Sequence, residues 1–154
     1  MLVDSNLLLL YFVGAYNPER ISTFKGTYSR GFGEDDFDLL IRLFSVFDRI
    51  VTTPNILTEV SNLSNQLRRD EKQTYYADFA RQMPLLTEHY TESKEISVLQ
   101  HFIDFGLTDS GIINLARENF LVLTDDGPLV GYLQNVGIDA INFNHVRSLN
   151  WGLS

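Results

Sequence analysis

An aspartate stands inside a strongly apolar stretch: Leu2 and Val3 precede Asp4, and residues 7–12 are all aliphatic or aromatic. A short apolar run of this kind predicts a strand buried on both faces or the start of a buried helix, where an uncompensated carboxylate would be costly. We interpret Leu2 and Val3 as a central strand, Asp4 as its carboxyl end and Leu7 as part of the next helix. Because ligands of open α/β sheets bind just outside the carboxyl ends of strands, Asp4 is the first candidate functional residue.

Composition limits the kinds of site that the chain can build. A length of 154 residues with 44% hydrophobic content predicts a single domain over residues 1–154 with a substantial core. Twenty acids against twelve bases give a net charge of −8, which argues against nucleic-acid binding by bulk electrostatics alone. The absence of cysteine excludes disulfides and thiolate sites, and three histidines leave little for a histidine metal site.

Targeting features point to a protein without membrane association. No stretch is apolar over the length that a bilayer requires. The apolar segment that follows Asp4 lacks the basic region of a signal peptide. We therefore expect no membrane partner and a cytoplasmic location.

A second strand and helix carry the next candidate acid. Residues 50–52 form a short β-branched run, and Thr53-Pro54 then places a good N-cap before a proline at the first helical position. In that helix Glu59 borders the apolar stripe. A solvent-facing glutamate is the alternative interpretation of Glu59, and only its neighbours in the fold favour a functional one.

The later part of the chain supplies three more acids. Asp109 lies in the first turn of a helix that begins after Gly106, where it is either a capping residue or a site residue facing the packed side. Residues 120–124 form the clearest strand, which Asp125 and Asp126 close, as turn and N-cap residues or as site residues. The sequence of residues 138–143 predicts the last strand.

Strands that alternate with helices predict an α/β fold: a three-layer α/β/α sandwich around a central, mostly parallel sheet. This arrangement brings Asp4, Glu59, Asp109 and Asp126 to one rim of the sheet. Their donors are all oxygens, which Mg²⁺ or Mn²⁺ prefers, and these ions are usually held by a few carboxylates, water and substrate phosphate. Without a cation the carboxylates would repel one another and their pKa values would rise.

Four short motifs follow one another across nearly the whole chain. They are Leu-Val-Asp-Ser-Asn at 2–6, Thr-Pro-Asn-Ile-Leu-Thr-Glu-Val at 53–60, Leu-Thr-Asp-Ser-Gly-Ile at 107–112 and Leu-Thr-Asp-Asp at 123–126. In this order the motifs resemble those of the PIN-domain nucleases. The resemblance implies that Asp4, Glu59, Asp109 and Asp126 bind one or two divalent ions, with Asn6 and Thr124 as polar support. The family's fourth acid falls on Asp125 or Asp126, and we favour Asp126.

The function that the resemblance implies is a Mg²⁺- or Mn²⁺-dependent endoribonuclease. The family contains bacterial toxins with antitoxin partners as well as RNA-processing nucleases, and its members often form homodimers. The same resemblance therefore implies an RNA substrate and, for a toxin, an antitoxin that places a basic side chain against the acids.

One segment could contact the RNA directly. Residues 21–34 show no clear period and contain Lys25, Tyr28, Arg30 and Phe32 among three glycines, a composition suited to an ordinary surface loop or to a loop that stacks on bases. The rival basic surface consists of Arg68, Arg69 and Lys72.

Two other function classes stay open at the level of sequence. A catalytically silent PIN-like module would bind RNA or protein, and its sign would be a lost acid, whereas all four acids are present. A phosphohydrolase of the haloacid dehalogenase type would also place an aspartate after a strand. Such an enzyme requires a second acid two positions after Asp4, where this chain has Asn6.

Overall fold

The computed structural model describes residues 1–151 and contains a central sheet of five strands, all parallel. Their order across the sheet is β3-β2-β1-β4-β5. The strands are β1 (Leu2–Val3), β2 (Val51–Thr52), β3 (Thr87–Glu88), β4 (Val122–Thr124) and β5 (Ala140–Asn142). The predicted α/β sandwich is therefore confirmed.

Strand β1 lies in the middle of the sheet, as the apolar run predicts. Leu2 is in register with Val51 on one side and with Val122 on the other, and Leu2 and Val3 are completely buried. A strand covered on both faces and paired on both edges must be apolar throughout, since a side chain on either face meets the core. This position fixes the carboxyl end of β1, and so Asp4, at the centre of one edge of the sheet.

Helices cover the sheet on both sides. The first of them, α1, is apolar nearly all round, which is typical of a helix buried among other elements. The helices are α1 (Ser5–Tyr16), α2 (Lys25–Tyr28), α3 (Glu34–Phe44), α4 (Pro54–Ser64), α5 (Arg69–Gln82), α6 (Ser93–Ser97), α7 (Phe102–Ala116), α8 (Gly127–Asn135) and α9 (Phe143–Trp151). Within residues 1–151, no helix has the length and apolar character needed to cross a bilayer.

Three local features differ from the sequence interpretation. The segment predicted as a loop contains the four-residue helix α2, and the polar strand β3 was not predicted. The helix expected from residue 91 or 93 to Gly106 is interrupted between α6 and α7. The predicted helix boundary at Gly106 appears as a kink inside α7, where the backbone has φ 68° and ψ −167°.

Candidate acid site at the carboxyl edge of the sheet

Strands β1 and β4 end side by side, and their last turns of chain form the centre of the site. Val3 is in register with Leu123, and the Asp4 amide donates to the Leu123 carbonyl at 3.1 Å. The Asp4 carboxylate accepts from the Leu7 amide at 3.0 Å, which caps α1. It also accepts from the Thr124 hydroxyl and, at 3.2 Å, from the Asp125 amide. Thr124 therefore supports Asp4 directly, across a separation of 120 positions in sequence.

Asp4 is an acid in an unfavourable environment. Only 5% of its surface is exposed. Burial, followed by the charge of nearby Asp125, raises the pKa of Asp4 to about 7, although its three hydrogen bonds act in the opposite direction. Burial therefore has a larger effect on the pKa of Asp4 than its three hydrogen bonds have. A nearby cation would stabilise the charged form of Asp4.

Asp125 has an internal counter-ion. One of its carboxylate oxygens accepts from the Asn6 amide group at 2.9 Å, and the other accepts from the Arg30 guanidinium at 2.7 Å. The Asp125 side chain is 4% exposed, whereas that of Arg30 is 42% exposed. The Asn144 side chain also donates to the Asp125 carbonyl at 2.9 Å. The Asn6 side chain therefore supports Asp125, and its role as polar support of the metal-binding acids stays a prediction.

Two further acids, Asp126 and Glu59, lie close enough to Asp109 to act on its charge. Asp126 is the N-cap of α8 and accepts from the Leu129 amide at 2.9 Å, while its own amide donates to Thr124. Glu59, on α4, accepts from the Ser5 hydroxyl. Burial, then the charge of Asp126, then that of Glu59 raises the pKa of Asp109 to about 6. The two acids that follow β4 thus have different neighbours, since Asp125 acts on Asp4 and Asp126 acts on Asp109.

Asp109, Asp126 and Glu59 lack the cationic partner that Asp125 has. Within the described part of the chain, none of the three forms an ion pair with a basic group. Asp109 also accepts no side-chain or backbone hydrogen bond from residues 1–151 through its carboxylate. No donor or cation among the described residues therefore balances its charge.

The donor set suits a hard cation that keeps part of its water shell. Among residues 1–151, no three histidine, cysteine, aspartate or glutamate side chains are arranged as a ready-made metal cage. Mg²⁺ does not need one, because it is usually bound by one or two carboxylates together with water and substrate phosphate. The unpaired acids Asp109, Asp126 and Glu59 fit that kind of site, and their mutual repulsion favours it.

The residues predicted to contact RNA differ in their exposure to solvent. Lys25 and Tyr28, at the two ends of α2, are exposed. Phe32 is only 3% exposed, and its ring packs edge-on against Phe143 at a centroid distance of 6.1 Å. The ring is held there by the core and cannot stack on a base, so Phe32 does not belong to the candidate RNA-contacting surface.

Several residues of the site were not singled out by the sequence interpretation. Ser5 and Asn144 contact Glu59 and Asp125 through hydrogen bonds that join distant elements. Arg147 pairs with Asp36, which lies in the first turn of α3. A single sequence contains no signal for such long-range pairs.

No protein-family model, curated protein or solved structure matches this chain. The resemblance to PIN-domain nucleases therefore rests on the four motifs alone, and membership of that family stays a prediction.

Proposed function

We propose that the protein is a Mg²⁺- or Mn²⁺-dependent endoribonuclease whose site lies at the carboxyl edge of strands β1 and β4. The observation that supports this proposal best is the state of Asp109. Its partly buried carboxylate has no donor among residues 1–151, and burial, followed by the charges of Asp126 and Glu59, raises its pKa. An acid beside two others, none of which has a basic partner within the described residues, is suited to binding a cation.

Each acid has a distinct part in this proposal. Of Asp109, Asp126 and Glu59, one or two would hold the ion together with water and substrate phosphate, and Asp4 would add negative charge once a cation favours its ionised form. When bound, the ion lowers the pKa of a water ligand and stabilises charge that develops on the scissile phosphate. Ser5 orients Glu59 through its hydroxyl, and Thr124 contacts both Asp4 and the Asp126 amide. These contacts keep the carboxylates in place before substrate arrives.

A polar groove next to the acids suits a single strand of RNA. The groove has a volume of about 260 Å³ and adjoins the acid site at Glu59. Its lining consists of Asn55, Thr58, Glu59, Asn62, Leu107 and Thr108. Amide and hydroxyl side chains both donate and accept hydrogen bonds, so they can meet ribose hydroxyls and the edges of unpaired bases.

The alternative functions predict different outcomes in one assay. A phosphohydrolase of the haloacid dehalogenase type needs an acid at position 6, where Asn6 instead donates to Asp125. A silent binding module would bind RNA and leave it intact.

Metal dependence is the decisive test. We expect the purified protein to cleave a labelled single-stranded RNA with Mg²⁺ or Mn²⁺, and chelation to abolish cleavage because the candidate ligands are all oxygens. An Asp109→Asn preparation made in parallel controls for contaminating nuclease. Undiminished cleavage in excess EDTA would rule out this mechanism, and RNA binding without cleavage at any metal concentration would favour the silent module.

A further inference from the structure

A buried ion pair joins the last described helix to the start of α3. The Arg147 guanidinium donates to both oxygens of Asp36, at 3.0 Å and 2.7 Å, and both side chains are almost fully buried. Asp36 also accepts from the Gly33 amide at 3.0 Å. A buried ion pair is weak evidence for a purely stabilising role, because desolvation of the charges offsets most of their attraction. What else Arg147 contacts is therefore informative.

The same guanidinium binds the backbone that carries Arg30. It donates to the Arg30 carbonyl at 3.3 Å and to the Gly31 carbonyl. Its central carbon lies 5.2 Å from the centre of the Phe32 ring. We call residues 30–36, which end in the first turn of α3, the Arg30 segment. Arg147 contacts this segment at its start, through the two carbonyls, and at its end, through Asp36.

The Arg30 side chain extends from this fixed backbone to the acid site. Its guanidinium bonds to Asp125 at 2.7 Å but is still 42% exposed. An arginine has five N–H donors, and only one of them serves Asp125 here. The remaining donors are in a planar arrangement that matches a phosphate group.

We propose that Arg30 binds a phosphate of the RNA backbone beside the metal-holding acids, and that Arg147 and Asp36 are positioning residues for Arg30. Asp125 then has a different role from the other acids. Both of its oxygens already have donors, Asn6 and Arg30, and it holds the Arg30 guanidinium at the site before RNA binds. This inference rests on the proposed nuclease function and adds to it the group that receives the substrate's charge.

Binding and cleavage are measured separately to test the phosphate contact. The binding probe is a fluorescently labelled oligouridylate of about 12 nucleotides in EDTA, within the size range of single-strand binding sites. Cleavage of the same probe with Mg²⁺ gives KM and kcat. Loss of a charge-assisted hydrogen bond weakens binding by roughly 10- to 100-fold, so Arg30→Ala should raise Kd and KM by about that factor. Its kcat and the Mg²⁺ concentration for half-maximal rate should change by less than about threefold, because this contact is made in ground and transition states alike.

Matched variants separate the phosphate contact from a general loss of positive charge. Arg81→Ala removes a guanidinium that pairs with Asp78 on the surface of α5, and it should behave like wild type. Arg30→Lys keeps the charge without the planar fork and should restore only part of the affinity.

A double-mutant cycle tests the positioning role. If Arg147 acts through Arg30, Arg147→Lys should raise KM in the wild-type background and have no further effect in the Arg30→Ala background. Asp36→Asn should behave in the same way and provides a second test if Arg147→Lys does not fold. Circular dichroism and thermal unfolding establish the folded fraction of each variant.

The outcomes separate the inference from the proposed function. If wild type cleaves RNA with metal but Arg30→Ala keeps the wild-type Kd and KM, the nuclease function stands and the inference is overturned. If Arg30→Ala loses affinity while folded Arg147→Lys and Asp36→Asn do not, the positioning role is overturned. If wild type neither binds nor cleaves the probe, both the function and the inference fail.

Discussion

The acids of the candidate site differ in what balances their charge. Asp125 has a guanidinium and an amide, and Asp4 has three hydrogen bonds but almost no solvent. Asp109 has neither among residues 1–151, and burial, followed by the charges of Asp126 and Glu59, raises its pKa to about 6. A carboxylate without protein donors is the one that gains most from a bound cation, so substitution of Asp109 should have the clearest effect on metal binding.

We expect Asp109→Asn to reduce metal-dependent cleavage by about 100-fold or more, since even the partners of metal ligands are worth 10- to 100-fold. The amide keeps the volume of the side chain and removes its charge. The variant should therefore fold, as judged by circular dichroism. Asp104→Asn, an exposed acid earlier in α7, is the matched control. Wild-type turnover of Asp109→Asn at saturating metal would remove Asp109 from the proposed metal ligands.

Because the pKa of Asp4 is raised, we expect the stability of the protein to depend on pH. Its pKa rises from 3.8 to about 7 on folding, so the folded protein keeps a proton that the unfolded chain loses in this range. Without metal, the free energy of unfolding should therefore fall as pH rises from about 4 to about 7, by on the order of a few kcal/mol. Urea unfolding at pH 4 and pH 8 measures this difference.

Asp4→Asn should reduce that pH dependence, because one of the titrating groups is removed while Asp109, whose pKa is also raised, remains. The amide can still accept from the Leu7 amide and so keep the cap of α1. Equal pH dependence in wild type and variant would show that Asp4 does not hold its proton in the folded state.

At the scale of elements, the hydrophobic pattern predicted four of the five strands and missed β3, one of the two edge strands. Strands β1, β2, β4 and β5 follow from apolar or β-branched runs that end in capping or turn residues. Strand β3 consists of one threonine and one glutamate, and it forms because the β2 edge offers unpaired backbone groups. No local pattern marks a two-residue polar strand.

The predictable part of the site consists of acids whose place relative to a strand or helix can be seen in the sequence. Asp4 and Asp125 directly follow strands, Asp126 is the next residue, and the meeting of these three at one end of the sheet follows from parallel pairing. Glu59 and Asp109 lie on predicted helices. The contact of Arg30 with Asp125 spans 95 positions, and that of Arg147 with Asp36 spans 111. Such pairs depend on how helices pack, which a single sequence does not encode in any local spacing.

The kink of α7 gives a prediction about an element. Gly106 has φ 68° and ψ −167°, a conformation open essentially only to glycine, and an added Cβ would meet no atom within 4 Å. Gly106→Ala should therefore lower the free energy of unfolding by about 1–3 kcal/mol through backbone strain alone.

Gly131 provides the opposite case for the same experiment. It lies within α8, is exposed, and also has no atom within 4 Å of an added Cβ. Gly131→Ala should raise the free energy of unfolding by roughly 0.5–1 kcal/mol, because alanine is the better helix former. Denaturant unfolding of both variants measures the two changes in the free energy of unfolding. Equal changes would contradict the backbone conformation assigned to Gly106.

At the scale of the whole molecule, the net charge of −8 repels RNA at long range. Binding must then come from few contacts, and with Lys25 and Arg30 alone the slope of log K against log salt should be only about −1.4. In the double variant Lys25→Ala with Arg30→Ala, most of this salt dependence of RNA binding should disappear. If Arg68→Ala with Arg69→Ala loses it instead, RNA binds along the start of α5.

The central place of β1 also sets an order of events during synthesis. At about 5–20 residues per second, the chain between Asp4 and Thr124, which are 120 positions apart, takes roughly 6–24 s to make. Throughout that time β1 lacks its β4 neighbour and Asp4 lacks Thr124. A nascent chain emerging beside its own messenger RNA therefore has no assembled acid site until β4 has left the ribosome.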